Sequence, residues 1–243
     1  MVSSFLVYRW ASSPKLLAIA AVVTVVFAVL ARALRGANRS GAVAGGIACF
    51  LLFAGAGPAA FSALVALFAM TWATTRLGYQ RKLVLGLAER KEGRTAWQIL
   101  ANLAAAALSS AIYGATGNRV WMVTTLAALA EAATDTVASE IGQYRSSRAW
   151  MITTWKQVPA GTDGGITIVG SIAGLAAGVV IALIGTVGSM ISPAQIWIPI
   201  AAGFAGMLID SVLGATLQRR GWMSNQGVNF AGTVAAAVLA YAV

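Results

Sequence analysis

Residues 120–142 read VWMVTTLAALAEAATDTVASEIG, a stretch long and apolar enough to span a bilayer that nevertheless carries three acids. A transmembrane helix needs about 20 mostly apolar residues. An acid within the membrane costs about 3 kcal/mol unless it is paired, hydrated or bound to a cation. The three acids are Glu131, Asp135 and Glu140, and a fourth, Asp210, lies in another apolar stretch. Because the chain has only seven carboxylates, these four are the strongest indication of function.

The composition of the whole chain is that of a membrane protein. The 243 residues are 59% hydrophobic and 10% charged, whereas soluble domains are about 25% charged. The chain has no histidine, which removes the usual general base and the commonest metal ligand. The single cysteine, Cys49, rules out a disulfide framework and a zinc site. The net charge of +10 is therefore interpreted as membrane topology and not as nucleic-acid binding.

Eight apolar segments are candidate membrane spans. They predict an all-α, polytopic transmembrane bundle of about seven to eight helices. No repeat of fixed period and no second domain is evident, so residues 1–243 are expected to form one membrane domain. The segments are residues 15–31, 41–55, 58–75, 96–113, 120–142, 165–191, 194–217 and 227–243.

The basic residues lie mostly on one side of this predicted bundle. Fourteen of the 17 lysines and arginines fall in the loops that follow the first, third, fifth and seventh segments. The positive-inside rule places those loops in the cytoplasm, which predicts a bacterial-type inner membrane protein with both termini outside. Arg9, before the first segment, and Lys15, its first residue, argue weakly against that orientation.

The spacing of the acids predicts which of them can meet. Glu131 and Asp135 are four residues apart and share a helix face, whereas Glu140 joins Asp135 only if the helix unwinds near Gly142. Asp135 and Asp210 are each expected roughly 12 Å below the cytoplasmic loops, at 1.5 Å per residue. Oxygen ligands without histidine or cysteine suit Mg²⁺. The alternative is that each acid is hydrogen-bonded separately to a neighbouring helix.

A glycine-rich loop, residues 152–165, precedes the sixth segment and reads ITTWKQVPAGTDGG. Its glycines expose backbone amides just before a helix N-terminus, which is a common phosphate-binding arrangement. Lys156 adds a positive charge, and Asp163 either binds a metal or caps the helix. The loop lacks the Gly-Lys-Ser/Thr ending of a Walker A motif. Turn formation and capping are the structural alternative.

Two further features are charged or glycine-rich. Residues 88–94, AERKEGR, and residues 38–41, NRSG, are either a clamp for a polyanion or solvated cytoplasmic loops. Gly170, Gly174 and Gly178 recur every four residues, which predicts a close helix-packing face. Gly203, Gly206 and Gly214 likewise predict a close packing face on the segment that carries Asp210.

Two of these motifs resemble those of a known family. Residues 135–142, DTVASEIG, and the stretch from Thr153-Thr154 to Pro159-Ala-Gly-Thr-Asp-Gly164 are similar to motifs of the phytyl-phosphate kinase family of integral membrane proteins. That family includes plant chloroplast kinases and bacterial, archaeal and animal relatives. The resemblance runs from about residue 38 to the C-terminus. Glu131 and Arg219-Arg220 match no family position.

The resemblance implies a Mg²⁺-dependent lipid kinase, distantly similar to CTP-dependent dolichol kinases and cytidylyltransferases. It would transfer phosphate from CTP or another NTP to an isoprenyl or phytyl monophosphate. In that interpretation Asp135, Glu140 and Asp210 bind Mg²⁺, and Asp163 and Lys156 assist catalysis. The nucleotide and lipid phosphates would be bound by Arg39, Ser40, Arg90, Lys91, Arg94, Gly161, Thr162 and Gly164, with Asn102, Gln218 and Asn229 as further polar candidates.

Two alternative functions use the same features. Buried acids, glycine-broken helices and basic loops also suit a transporter, an ion channel or a flippase for a small anion or lipid phosphate. A noncatalytic assembly factor is the other. The near absence of polar groups from the outer third of the predicted spans favours the kinase over a transporter.

Overall fold

The structure, a computed structural model, describes residues 13–243 as a bundle of helices, and Arg9 lies outside the described residues. The predicted helical membrane bundle is confirmed. Its α-helices are α1 Pro14–Ala33, α2 Arg39–Arg76, α3 Tyr79–Val84, α4 Ala96–Thr116, α5 Val120–Arg145, α6 Ile168–Val187, α7 Trp197–Leu213 and α8 Asn225–Tyr241. A 3₁₀ turn, Pro193–Gln195, precedes α7, and a π-helical turn, Gly214–Gln218, follows it.

Within residues 13–243, five helical segments are long and apolar enough to cross a membrane. They are Pro14–Ala33, Arg39–Arg76, Ala96–Thr116, Ile168–Val187 and Pro193–Gln218. The central helix α5 is not among them because its acids and threonines lower its hydropathy. It contacts α2, α4, α6, α7 and α8, so neighbouring helices cover its polar groups.

Helix α2 contains two of the predicted spans, joined at a sharp break. Gly57 has φ 80° and ψ −168°, and Pro58 follows it. This left-handed φ suits glycine, and proline removes a helical hydrogen bond. The guanidinium of Arg76, at the end of α2, donates to Leu34 O at 2.6 Å, and Leu34 is only five residues before the start of α2. The two halves therefore run antiparallel, and both ends lie on the basic face.

Glycine faces let the helices around α5 approach closely, as the spacing predicted. A Cβ on Gly174 would reach Thr134 O, and a Cβ on Gly178 would lie 2.7 Å from Thr134 Oγ1. On α7, a Cβ on Gly203 would lie 2.9 Å from Glu131 N. Real Cβ atoms do not approach other atoms this closely, so these positions require glycine for α6 and α7 to contact α5.

The glycine-rich loop is partly a small antiparallel sheet, which the sequence did not predict. Strands β1 Arg148–Met151, β2 Gln157–Pro159 and β3 Gly165–Ile166 lie in the order β2-β1-β3. Trp150 pairs with both Gln157 and Ile166. Because β3 pairs with β1, the sixth span starts at Ile168, three residues later than predicted.

Candidate functional site

A polar cavity of about 360 Å³ lies where α5, the loop between β2 and β3, and the ends of α6, α7 and α8 meet. Its walls carry carboxylates, amides and hydroxyl groups. Ten of the residues predicted from the sequence to form the site line it. They are Arg94, Asp135, Glu140, Gly161, Thr162, Asp163, Gly164, Asp210, Gln218 and Asn229.

Three carboxylates from three segments share this cavity. Asp135 comes from α5, Asp210 from α7 and Asp163 from the loop after β2. Asp135 and Asp163 lie close enough to Asp210 for their charges to repel it, while Arg94 attracts Asp135. Within residues 13–243, no group donates a hydrogen bond to the buried Oδ2 of Asp210. A cation beside Asp210 would satisfy this oxygen and relieve the repulsion.

Glu140 lines the same cavity, but its carboxylate is bound by protein groups. Its Oε2 accepts from the buried Lys82 ammonium at 2.5 Å, and its Oε1 accepts from Thr75 Oγ1 at 3.0 Å. Helix α5 does not unwind near Gly142, since it continues to Arg145. Glu140 therefore faces Lys82, and its role as a Mg²⁺ ligand stays a prediction. In the sequence, Lys82 is only one of the fourteen basic residues of the predicted cytoplasmic loops.

The glycine-rich turn forms one wall of the cavity. Gly161 and Gly164 have φ of 87° and 77°, a conformation that side chains rarely adopt. A Cβ on Gly164 would also lie 2.6 Å from Ala215 N, so the turn is seated against the π-helical turn. Thr162 N donates to Pro159 O and Gly165 N to Thr162 O. Within residues 13–243, the amides of Gly161, Asp163 and Gly164 form no such bond, which leaves them for a ligand.

Asp163 lies on the same turn, outside the membrane-spanning helices. Partial burial raises the pKa of its carboxyl group, while the charge of Arg219 and a hydrogen bond from Gln218 act in the opposite direction. The nearby N-terminus of α6 is capped by Thr167, whose hydroxyl accepts from Gly170 N at 3.0 Å. The helix dipole therefore presents partial positive charge to this end of the cavity.

The side-chain carboxylates alone do not form a closed metal cage. Among the residues that the structure describes, no three His, Cys, Asp or Glu side chains converge as a metal site would require. Mg²⁺ is usually held by one or two carboxylates, with water and substrate phosphates completing its coordination. Asp135 and Asp210 provide an open donor set of that kind.

A second cavity, of about 300 Å³, lies beside the polar cavity and has mostly apolar walls. Arg90, Lys91 and Asn102 line this second cavity, and Arg94 lines both. Glu89 and Thr136 also line both cavities. No sequence pattern predicts this apolar cavity, because its wall combines residues from five helices, α1 to α5, and from the two loops before α2 and α4.

Lys156, Arg39 and Ser40 line neither cavity. Lys156 is exposed on the turn between β1 and β2. The Ser40 hydroxyl donates to Asn38 Oδ1 and accepts from Ala96 N, which joins the starts of α2 and α4. The structure thus places these three side chains outside both cavities.

Glu131 lies behind the polar cavity and is 1% exposed. It packs between Gly206 and Gly232: a Cβ on Gly206 would lie 2.7 Å from Glu131 Cγ, and one on Gly232 would lie 2.5 Å from Glu131 Oε1. No donor within residues 13–243 reaches this Oε1. Asp135 and Asp210 are close enough for their charges to repel a charge on Glu131.

Comparison with known proteins identifies a family. Residues 22–237 match the family model described as integral membrane protein DUF92. An uncharacterised membrane protein of Synechocystis sp. is 31% identical over 196 residues, which cover 78% of this chain and 76% of that protein. Protein VTE6, chloroplastic, of Arabidopsis thaliana is 29% identical over 203 residues, which cover 80% of this chain and 61% of that protein. No solved structure matches the chain.

A further relative extends the range of organisms. An uncharacterised membrane protein of Methanocaldococcus jannaschii is 27% identical over 215 residues, which cover 88% of each chain. The relatives thus include bacterial, archaeal and plant proteins. The resemblance that rested on residues 135–142 and 153–164 is confirmed.

Proposed function

The chain belongs to the DUF92 family of integral membrane proteins, and from that premise we propose that it is a membrane lipid kinase. It transfers the γ-phosphoryl group of a nucleoside triphosphate to an isoprenyl or phytyl monophosphate and releases the lipid diphosphate. CTP is the first nucleotide to test, because the resemblance to the phytyl-phosphate kinase family implies it. The basic loops and the cavity face the cytoplasm in this proposal.

One observation carries the proposal: the polar cavity combines the acids Asp135 and Asp210 with the amides of the Gly161–Gly164 turn. Acids suit a metal-bound triphosphate, and the free backbone amides of a glycine-rich turn suit its phosphate oxygens. Phosphoryl transfer depends mainly on positioning and on neutralising charge. The cavity contains groups suited to both positioning and charge neutralisation.

The absence of histidine from the chain is consistent with this reaction. A phosphate monoester has a second pKa of about 6, so the lipid monophosphate is a dianion at neutral pH. One of its oxygens forms a bond to the γ-phosphorus, and the bond between that phosphorus and the β,γ-bridging oxygen breaks. The electron pair leaves with the nucleoside diphosphate. No proton moves, so no general base is required.

The residues present fit Mg²⁺. Asp135 and Asp210 would hold it, with Asp163 assisting from the turn, and the unpartnered Asp210 Oδ2 supplies a free donor. When bound, Mg²⁺ would neutralise charge on the triphosphate. Arg94 lies close enough for its charge to attract Asp135. Glu140 is better placed to fix α5 against Lys82 than to bind the ion.

The test is transfer by purified protein in nanodiscs, supplied with Mg²⁺, γ-labelled CTP or ATP, and geranylgeranyl or phytyl monophosphate. Label is expected in the lipid diphosphate and is expected to disappear when EDTA is added. Asp210→Asn should abolish transfer, while Glu92→Gln, on the exposed loop outside both cavities, should retain it. Absence of transfer with every nucleotide would overturn the proposal and favour the transporter or flippase.

A further inference from the structure

The apolar cavity is shaped like a binding site for one amphiphilic molecule. It lies between α1, both halves of α2, α4 and α5, and its inner walls include Phe27, Leu64, Phe68 and Leu103. Leu103 lies seven residues into α4, roughly 10 Å below the cytoplasmic end at 1.5 Å per residue. A volume of about 300 Å³ is within the range of small-molecule sites.

One end of this cavity is strongly basic. Arg35, Arg76, Arg90, Lys91 and Arg94 all line it, and all five belong to the loops and helix ends of the basic face. Of the carboxylates in the described part of the chain, Glu89 alone lines this cavity. Apolar walls that end in five cations suit a ligand with a hydrocarbon tail and an anionic head.

The basic end is also where the two cavities meet, at Arg94. The backbone of Arg94 is fixed on both sides, since its N donates to Gly36 O at 3.1 Å and its O accepts from Asn38 N at 3.0 Å. Gly93 has φ 88°, and a Cβ there would lie 2.6 Å from Ala37 N, so only glycine allows this close contact. The Arg94 Nε lies 3.9 Å from Glu89 Oε2.

We propose that the apolar cavity holds the isoprenyl tail of the lipid monophosphate and that Arg94 binds its phosphate at the boundary with the polar cavity. The identity of the phosphate acceptor rests on the proposed function. The lipid phosphate then faces the nucleotide bound near Asp135 and Asp210, and transfer takes place across the boundary formed by Glu89, Arg94 and Thr136.

Helix α1 forms the side of the cavity that faces the bilayer. Phe27, Ala28 and Ala31 face inward, whereas Val22, Val25 and Val29 are more than half exposed, at 64%, 62% and 62%. Helix α1 packs chiefly against α2. A lipid tail therefore enters from the membrane beside α1, with no need to cross the bundle.

Gly45 offers a direct way to fill the cavity. It lines the cavity, and a Cβ there would meet only Ile99 Cδ1 and Cγ2, each at 3.8 Å, which is ordinary contact. Gly45→Leu therefore places a side chain where the tail is proposed to lie. Val43→Leu is the matched control, because Val43 is on the same helix turn and is 66% exposed to the bilayer.

Binding is measured with a geranylgeranyl monophosphate that carries a diazirine at the end of its tail. Cross-links are expected on α1, α2 and α4 inside the cavity, and Gly45→Leu is expected to reduce them by about tenfold. Val43→Leu should leave them unchanged. Gly45→Leu should weaken binding of geranylgeranyl monophosphate more than binding of geranyl monophosphate, whereas general damage to the fold would weaken both equally.

The outcomes separate this inference from the proposed function. Cross-links confined to the outer surface, or equal loss for both chain lengths, would overturn the lipid site even if phosphoryl transfer is observed. Cross-links at the predicted positions without transfer by the wild-type protein would support the lipid site and overturn the kinase. Arg94→Gln should weaken binding of the monophosphate but not of the corresponding uncharged alcohol, and equal weakening of both would contradict the role of Arg94.

Discussion

Lys82 and Glu140 form a buried ion pair between the short helix α3 and the central helix α5. The Lys82 side chain is 1% exposed, and its Nζ lies 2.5 Å from Glu140 Oε2. The same ammonium donates to Thr74 O and Thr75 O, each at 3.0 Å. It therefore binds the C-terminal carbonyls of α2, which a helix leaves unsatisfied, and attaches them to α5.

Breaking this pair is expected to destabilise the protein. Lys82→Met leaves the Glu140 carboxylate without its cation and Thr75 O without its donor, whereas Thr74 O keeps a bond from Leu77 N. The free energy of unfolding should therefore fall by about 3 kcal/mol. Denaturant titration in detergent micelles measures it. Lys156→Met, on an exposed turn, should change stability by less than about 0.5 kcal/mol.

A double variant tests whether the two residues are coupled. The double variant Lys82→Met/Glu140→Gln has no uncompensated carboxylate. Its free energy of unfolding should therefore fall by less than the sum of the falls in Lys82→Met and Glu140→Gln. If the losses simply add, the pair contributes nothing beyond its separate contacts, and Glu140 remains open to a role as a metal ligand.

The helices and their glycine faces could be predicted from the sequence because both depend on local spacing. The four-residue spacing of Gly170, Gly174 and Gly178 predicts a packing face whatever the partner helix is. The meeting of Asp135 with Asp210 could also be expected, since both were placed at the same depth below the basic loops.

The Lys82 pair and the apolar cavity could not be predicted, because both depend on how distant segments fold together. Lys82 is 58 residues from Glu140, and the pair forms only because α2 folds back at Gly57. The sheet formed by β1 and its neighbours was missed because strands of two to four residues leave no clear alternation. The spacing of five residues turns Glu140 away from Asp135, and only the family resemblance grouped the two; the continuous helix α5 brings the Glu140 carboxylate to Lys82.

Neutralising either central acid of the polar cavity should remove activity without unfolding the protein. Asp135→Asn and Asp210→Asn each delete a charge that repels its neighbour, so thermal stability in EDTA should be unchanged or slightly higher. Phosphoryl transfer should fall by about 100-fold or more, because charge neutralisation is the main catalytic term. Loss of activity together with a lower unfolding temperature would instead indicate a structural role.

Replacing Gly164 by alanine should weaken nucleotide binding for a reason that does not apply to Gly86. Both have a left-handed φ, 77° and 71°, so alanine at either position costs about 1 kcal/mol of backbone strain. A Cβ on Gly164 meets Ala215, whereas a Cβ on Gly86 meets nothing within 4 Å. Gly164→Ala should therefore displace the turn and raise the KM for nucleotide, while Gly86→Ala should affect stability alone. Equal KM values for nucleotide in Gly164→Ala and Gly86→Ala would argue against phosphate binding by this turn.

The raised pKa of Asp163 predicts how stability depends on pH. A carboxyl whose folded-state pKa is above its unfolded value favours the folded protein while protonated, and this contribution is lost as the pH rises from about 4 through the folded-state pKa. In EDTA, Asp163→Asn should therefore have a higher Tm than the wild type at neutral pH and a similar Tm in acid. A variant that is less stable only at neutral pH would show that Arg219 and Gln218 outweigh burial.

Glu131 provides the last test, because it separates the kinase from the transporter. Its buried Oε1 lacks a donor within residues 13–243, and the nearby acids repel a charge on it. Glu131→Gln keeps the shape and removes that charge, so unfolding temperature should rise, and phosphoryl transfer should remain within about threefold because ~0.7 kcal/mol is a small barrier change. Glu131→Ala should instead lower stability by about 2 kcal/mol through the cavity that it leaves. If Glu131→Gln is stable but no longer transports a small anion or lipid phosphate, this deep acid binds the transported ion or a proton, as a transporter requires.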